Sequence, residues 1–576
     1  MNDFISIDKA SMAIKFHPRA WHDEDIFLAK CMWMDIDSTT GAITADMKLM
    51  LPRALYEFIE SCYPALWNQP AYESMRLHIG AQLKDVYSSY YDGLLNKFST
   101  RAPWIESMFN HQRNTVCAMD TRRATLLAFE QGLGKTITTA TVSVVQNVPR
   151  TVVVTPDVGK WNWVLDLSSR KSRPWHGHKF FDYNNFSVLN SEKRKNMYGF
   201  TEKFVIINYE AMHKYMEYLE EYSGLRTAHI VFDECQNIKN IHSKRYKYCE
   251  ELVDRLPESR ITMLSGTPVT NRANDMFAYF RMIKHPLGES YSAFMNMYTN
   301  TKMGRVTGSK NMTLLHKRMS NFMIRKTEKE CLDLPGISYT RMFFEIGDYK
   351  NDYEQAIKDA IANKKGKKLN VDGSIHSINN IMAQAKVPGL IKQIDEMIET
   401  SGKVVVFFTY SKPIAMMAEY YGDKCVVVDG SIDGEEKIAR AEKFQNDPSI
   451  NVFIGNMKAA GHTIDLTSAK VCVIGNFPLS PADILQAIRR LYRIGQKDAV
   501  KVYFALCIGD RNETTVDIRL ADLIEDKIED INMIVDGGQD VIDITNVTDV
   551  LASEFLNVKD NDNAEEGSQE PDSQNP

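Results

Sequence analysis

The chain has 576 residues, 44% hydrophobic and 25% charged, which suits two or three ordinary globular units and excludes a mostly disordered, collagenous or disulfide-scaffold protein. Its formal charge is −6, of which the segment 557–576 supplies −5, so bulk charge announces no nucleic-acid binder and any such role must come from local sites. Nine scattered cysteines without a C-x-x-C pair indicate reduced thiols. No apolar run reaches the roughly 18 residues needed to cross a bilayer, and the opening Met1-Asn2-Asp3-Phe4 does not begin a secretory signal, so a cytoplasmic protein without a membrane partner is expected.

Residues 1–100 do not alternate strand and helix and are rich in aromatics, among them Trp21, Trp33, Tyr63, Trp67, Tyr87, Tyr90 and Tyr91. They are read as a small accessory domain, its rings serving core packing or stacking against bases or a partner. From there the chain alternates short β-branched runs with longer mixed segments. Thr151–Thr155, Phe204–Asn208, His229–Phe232 and Ile261–Leu264 form one set of predicted strands, within a lobe over 101–340. Val404–Phe408, Cys425–Val428, Val452–Ile454, Val471–Ile474 and Val500–Leu506 form another, within a lobe over 403–548. Continuous apolar runs of this length predict buried parallel strands, hence two doubly wound α/β lobes. Residues 341–402, with the basic loop 364–368, are read as the connection between them, and 549–576 as a disordered acidic tail.

The first chemical signal is Gly132-Leu133-Gly134-Lys135-Thr136, preceded by the apolar run Leu126–Phe129 and followed by Ile137–Val145. A strand, a glycine turn and a helix start make a phosphate cradle, because backbone N–H groups converge at the positive end of a helix. Lys135 would reach the β and γ phosphates and Thr136 would offer its hydroxyl to magnesium. Phe129 stands where the full G-x-x-x-x-G-K-[ST] pattern has its first glycine, so a glycine turn with a solvated lysine is the alternative.

Downstream, Ile230-Val231-Phe232 ends in Asp233-Glu234. Carboxylates at the C-terminal end of a parallel strand face the ligand crevice. Asp233 can hold magnesium, and Glu234 is placed to orient and deprotonate water. In the second lobe Arg490 and Arg493 lie three apart, a spacing that shares one helix face and suits bidentate phosphate contact; a solvated basic stretch is the alternative. His176 and His178 lack further metal ligands and are read as surface residues.

Together these motifs resemble the Swi/Snf-like ATPases, the double-stranded-DNA translocase branch of helicase superfamily two, from about Phe109 to Asp536. Phe109-Asn110-His111-Gln112 resembles the adenine-reading motif, and Leu127–Thr136 the phosphate loop, with Phe129 in place of the usual acidic residue. Thr155-Pro156 through Trp163, Asp233–Asn240, Ser265-Gly266-Thr267-Pro268 with Asn271, and Arg325-Lys326-Thr327 follow in order. Gly461–Thr467 carries Thr463 and Asp465 where the family has glycine and asparagine, and Gln486–Gln496 is the most specific match. The resemblance implies two RecA-like lobes, ATP held by Gln112, Gly132, Gly134, Lys135, Thr136 and Gln486, and catalysis by Lys135, Asp233, Glu234, Arg490 and Arg493. It also implies duplex DNA gripped through its phosphates, with Lys160, Lys239, Lys244, Asn271, Lys412 and Lys458 as candidate contacts beside Ser243, Arg272 and Ser411.

The expected function is an ATP-driven motor on double-stranded DNA, with a protein partner placed on residues 1–100 or on the acidic tail. A strand-separating helicase and a nucleotide-sensing scaffold are the alternatives.

Overall fold

The computed structural model describes the chain except for residues 1–4, 18–20, 65–69, 71–72, 147, 168–185, 190–202, 225–226, 267, 269–272, 303–304, 333–334, 363–370, 461–463, 480, 494, 510–513, 525–540 and 543–576. Two parallel sheets carry the architecture, as the apolar runs predict. Four strands, β1 (Ile5–Asp8), β2 (Ala13–Phe16), β3 (Asp35–Ile36) and β4 (Ile43–Asp46), precede them as an antiparallel sheet in the order β1-β2-β4-β3.

The first lobe contains β5 (Ala124–Phe129), β6 (Thr151–Thr155), β7 (Phe186–Leu189), β8 (Phe204–Asn208), β9 (His229–Asp233) and β10 (Arg260–Leu264). After a hairpin of β11 (Thr299–Lys302) and β12 (Arg305–Lys310), β13 (Met323–Lys326) completes its sheet in the order β13-β5-β10-β9-β6-β8-β7. Every pairing in that sheet is parallel, and β5, β6 and β9 are buried throughout, so apolar side chains are required on both faces. The sequence reading finds β5 only as the run before the glycines and does not assign β13. That strand ends in Arg325-Lys326, whose charges hide a run that is apolar only at Met323 and Ile324.

The second lobe contains β14 (Ile337–Glu345), β15 (Val404–Phe408), β16 (Cys425–Val428), β17 (Val452–Asn456), β18 (Val471–Ile474) and β19 (Val500–Ile508), in the order β14-β19-β18-β15-β17-β16. Residues 341–402 are therefore more than a connection. They give the lobe most of an edge strand, β14, paired along its length with β19, and the long helix Val371–Ser401. Inside that helix Lys386 is wholly buried and donates to Asp517 at 2.6 Å and to the Ala505 carbonyl at 2.9 Å, tying the long helix to β19 and to the helical residues 516–524. The pattern of β14 escapes sequence reading because its side chains are mostly exposed. β20 (Val541–Ile542) pairs with β12, so the chain returns to the first lobe. The basic loop 364–368 and the tail 549–576 lie outside the described residues.

The first hundred residues share a core with the first lobe. Phe16, Phe58, Tyr63, Tyr87 and Phe98 belong to the same apolar cluster as Leu127, Phe129 and Ile137. Polar ties reinforce it: Leu51 N donates to Asn321 Oδ1 at 2.8 Å, Asn321 Nδ2 to the Met32 carbonyl at 2.9 Å, and Arg318 Nη2 to Glu24 Oε1 at 2.6 Å. Core packing thus absorbs Tyr63 and Tyr87, with Trp21, Tyr90 and Tyr91 partly buried against them, while Trp67 lies outside the described residues. All nine cysteines are free thiols. Among the described residues no helix is long and apolar enough to cross a membrane.

A buried polar chain crosses the first lobe: His229 Nδ1 meets Ser143 Oγ at 2.6 Å and Nε2 meets Thr262 Oγ1 at 2.8 Å. Burial first, with Arg260 and Lys203 adding to it, pushes the His229 pKa down to about 3. A depressed histidine adds stability above its unfolded value near 6.5 and loses it as acid protonates the unfolded chain preferentially. Between pH 7 and pH 5 this group alone should remove about 2 kcal/mol from the unfolding free energy. Denaturant titrations at both pH values test this: His229→Asn should lose about 2 kcal/mol less than wild type over the interval. Equal losses would place the acid sensitivity elsewhere.

Candidate active site

The site is assembled at the C-terminal ends of β5 and β9, where parallel strands of a doubly wound sheet open onto a crevice. After β5, Gly132 and Gly134 adopt φ of +89° and +82°, a left-handed backbone that glycine enters without steric cost. A side chain at Gly134 would also collide with Gln112, whose Nε2 lies 2.3 Å from where a Cβ would sit. The helix Lys135–Val145 starts immediately after this turn and carries Thr136, partly exposed, in its first turn. Gln112 Nε2 donates to the Leu133 carbonyl at 3.0 Å and its Oε1 accepts from Phe109 N at 3.1 Å, fixing the 109–112 motif on the loop. Lys135 Nζ folds back to the carbonyls of Phe129 at 3.0 Å and Glu130 at 3.4 Å. Burial pushes its pKa down to about 8 against the pull of Glu234 and Asp233. An ammonium so desolvated gains most from an arriving polyanion.

At the end of β9 each oxygen of Asp233 is engaged. Oδ2 accepts from Thr155 Oγ1 at 2.9 Å and Trp163 Nε1 at 3.0 Å, and Oδ1 accepts from Glu234 N at 3.0 Å. Burial and the neighbouring Glu234 carboxylate nevertheless raise the Asp233 pKa, so the bare site favours a cation beside it. Glu234 holds φ +48°, a conformation rare for a side chain of its size and of a kind that concentrates at functional sites. Its Oε2 accepts from Gln236 Nε2 at 2.8 Å, and Gln236 Oε1 accepts from Ser265 Oγ at 2.7 Å. A relay thus runs from the loop after β10 to the acid pair. The sequence reading quotes Thr155, Trp163, Gln236 and Ser265 inside motifs and gives them no part in holding the acids. Which donor reaches which carboxylate depends on strand order.

The second lobe closes on the same loop. Arg489 Nη2 donates to Glu130 Oε1 at 2.7 Å, Arg490 Nη2 donates to Gln131 Oε1 at 2.8 Å, and Arg493 Cβ lies 3.0 Å from where a Cβ of Gly132 would sit. Lys135 and the arginine stretch therefore share one crevice. The helix Pro481–Ile488, which carries the buried Gln486, ends before the arginines, contrary to the shared helix face that their spacing predicts. Arg490 N bonds the Ala487 carbonyl and Leu491 N the Ile488 carbonyl, so tight turns and not a continued helix bring Arg490 and Arg493 to one side. The left-handed Gly495, at φ +102°, breaks any continuation.

The residues fit a nucleoside triphosphate with magnesium: a cradle that admits no Cβ, a desolvated lysine, a threonine hydroxyl and a carboxylate as hard oxygen donors. Among the described residues no group of three or more His, Cys, Asp or Glu could hold a metal ion, so phosphate oxygens and water would complete its shell.

The DNA-contact candidates divide. Lys160 is buried and paired with Asp157 at 2.7 Å, so its charge is not offered to solvent as its motif position suggested. Lys239, partly buried, faces Asp275 at 3.5 Å, whereas Lys244, Lys412 and Lys458 are exposed. Asn271, Arg272, His176, His178 and the 461–463 stretch lie outside the described residues.

Residues 96–387 match the SNF2-related domain and residues 386–495 the helicase conserved C-terminal domain. The chain belongs to the SNF2-related family. Among relatives of this SNF2-related chain is a Caenorhabditis elegans homologue of the SWI/SNF-related matrix-associated actin-dependent regulator of chromatin subfamily A-like protein 1, 25% identical, covering 74% of this chain and 61% of that protein. An uncharacterized ATP-dependent helicase of Mycoplasma pneumoniae is 23% identical, covering 66% of this chain and 37% of its own length. The chain thus spans roughly four to six tenths of these relatives. The solved Sulfolobus solfataricus SWI2/SNF2 ATPase core in complex with dsDNA is 22% identical, with 78% of this chain and 96% of that chain covered and a TM-score of 0.35.

Gly134→Ala tests the cradle without assuming a reaction. It should lower the unfolding free energy by about 1–2 kcal/mol through left-handed strain, more where Gln112 cannot move aside. Adding Gln112→Ala should recover the steric part, measured by denaturant titration.

Proposed function

We propose that the protein is an ATP-hydrolysing motor that moves along double-stranded DNA and remodels DNA or the proteins on it. The observation that carries this reading is the meeting of the second lobe's Arg490 and Arg493 with the first lobe's phosphate loop, because a nucleotide there is held by both lobes at once. Hydrolysis then gates lobe motion. Lys135 takes the β and γ phosphates, Gln112 the base, and Gln486 joins them in holding the nucleotide from the second lobe. Glu234 orients the attacking water and accepts its proton, its carboxylate steadied by Gln236. Arg490 and Arg493 stabilise charge developing on the transferred phosphoryl group. Magnesium, when bound through Thr136 and Asp233, would neutralise phosphate charge and keep Asp233 ionised.

On the DNA side, Lys244, Lys412 and Lys458, with Lys239 after release from Asp275, suit phosphates and not base edges, which gives salt-sensitive, sequence-independent binding. A protein partner would address residues 1–100 or the acidic tail.

Arg490→Ala and Arg493→Ala should each keep ATP binding and lower turnover on the order of a thousandfold. Glu234→Gln should bind ATP and grip DNA while hydrolysing slowly; rapid hydrolysis would remove it from the role of base. The reading as a whole rests on ATP turnover measured with duplex, forked and single-stranded DNA and with RNA, paired with displacement of a triplex strand. Duplex stimulation with triplex displacement is expected. Stimulation by single strands alone would indicate a strand-separating enzyme, and no turnover with any of them a nucleotide-sensing scaffold.

A further inference from the structure

Two adjacent residues of each lobe meet in register across the cleft. Glu130 and Gln131 stand just before the loop glycines, and Arg489 and Arg490 stand just past the helix Pro481–Ile488. Arg489 meets Glu130 at 2.7 Å and Arg490 meets Gln131 at 2.8 Å, so the two dipeptides pair side by side.

The two contacts differ in kind. The first is a guanidinium on a carboxylate with side chains only 15% and 12% exposed, a charge-assisted bond in a poorly screened place. The same Glu130 oxygen also accepts from Arg325 Nη2 at 3.2 Å, which anchors it to β13. The second contact ends on a neutral amide, a weaker acceptor than any phosphate oxygen. A triphosphate entering the cradle can take Arg490 from Gln131, while the carboxylate of Glu130 retains Arg489.

We infer that Glu130 and Arg489 are positioning residues: their ion pair latches the second lobe onto the phosphate loop, and Gln131 parks Arg490 beside the phosphates until a nucleotide claims it. This deepens the motor reading and rests on it. Neither latch residue touches the reacting atoms. Their effect is on the closed geometry in which Arg490 and Arg493 act, so it falls on the chemical step more than on ATP capture.

The test uses the full chain at saturating duplex DNA, with kcat and KM for ATP measured for Arg489→Ala, Arg489→Lys, Glu130→Gln and the double variant Glu130→Gln/Arg489→Ala. Melting temperature is followed as a control for folding. Each single neutralisation should lower kcat on the order of tenfold or more, since small misplacements are costly, with KM changed by less than about threefold. The double variant should lose little beyond the worse single one, because both remove the same contact. Arg489→Lys should recover most of kcat. Should Glu130→Gln fail to fold through its bond to Arg325, Arg489→Ala against Arg489→Lys still decides the matter. Wild-type kcat in Arg489→Ala, a KM effect alone, or multiplying losses in the double variant would each overturn the latch. A wild-type protein active on duplex DNA with an indifferent Arg489→Ala overturns the latch only, whereas a wild type inactive on every nucleic acid overturns the motor reading and the latch together.

Discussion

The proposed phosphate site is divided between two separately folded sheets, and the rest of the structure depends on their meeting. Glycine loop, lysine and acid pair come from the ends of β5 and β9, and the arginines come from a turn more than 350 residues after the glycine loop. Neither set is a complete site for a triphosphate. On the proposed reading, charge that develops during phosphoryl transfer is met only when both lobes are in place, which makes chemistry and lobe geometry one variable. The ion pair of Glu130 with Arg489 stands at that seam.

Desolvation is the second determinant of the site. Lys135 and Asp233 are each shifted against their charged forms mainly by burial, and each has its polar atoms occupied by protein groups. Burial that disfavours both charges favours, on the proposed reading, a polyanion arriving with its cation. The left-handed Glu234 and its relay through Gln236 to Ser265 connect the acid pair to the loop after β10, the strand that lies between β5 and β9.

Around this machinery the chain is more tightly knit than a string of modules. The first hundred residues share an apolar cluster with β5 and the phosphate-loop helix, and Asn321 and Arg318 bind them to the end of the first lobe. The second lobe takes its edge strand and a long covering helix from residues between β13 and β15, with Lys386 and Asp517 buried as the internal tie.

Much of this was legible in the residues alone. Thr151–Thr155, Phe204–Asn208, Val404–Phe408, Cys425–Val428 and Val471–Ile474 are strands with the same bounds in sequence and structure, because each is a short, mostly apolar β-branched or aromatic run of the kind a largely buried strand requires. Lys135, Asp233, Glu234 and the Arg490–Arg493 stretch were legible as candidates too, since the spacings that single them out are local. Strands β13 and β14 were not, because charged or exposed side chains break the apolar pattern there. Nor was the burial of Lys160 against Asp157, the three donors on Asp233, or the pairing of residues 130–131 with 489–490. Local composition dictates which groups a short segment can offer. Strand order and lobe closure decide which distant groups meet, and those depend on the packing of the whole chain.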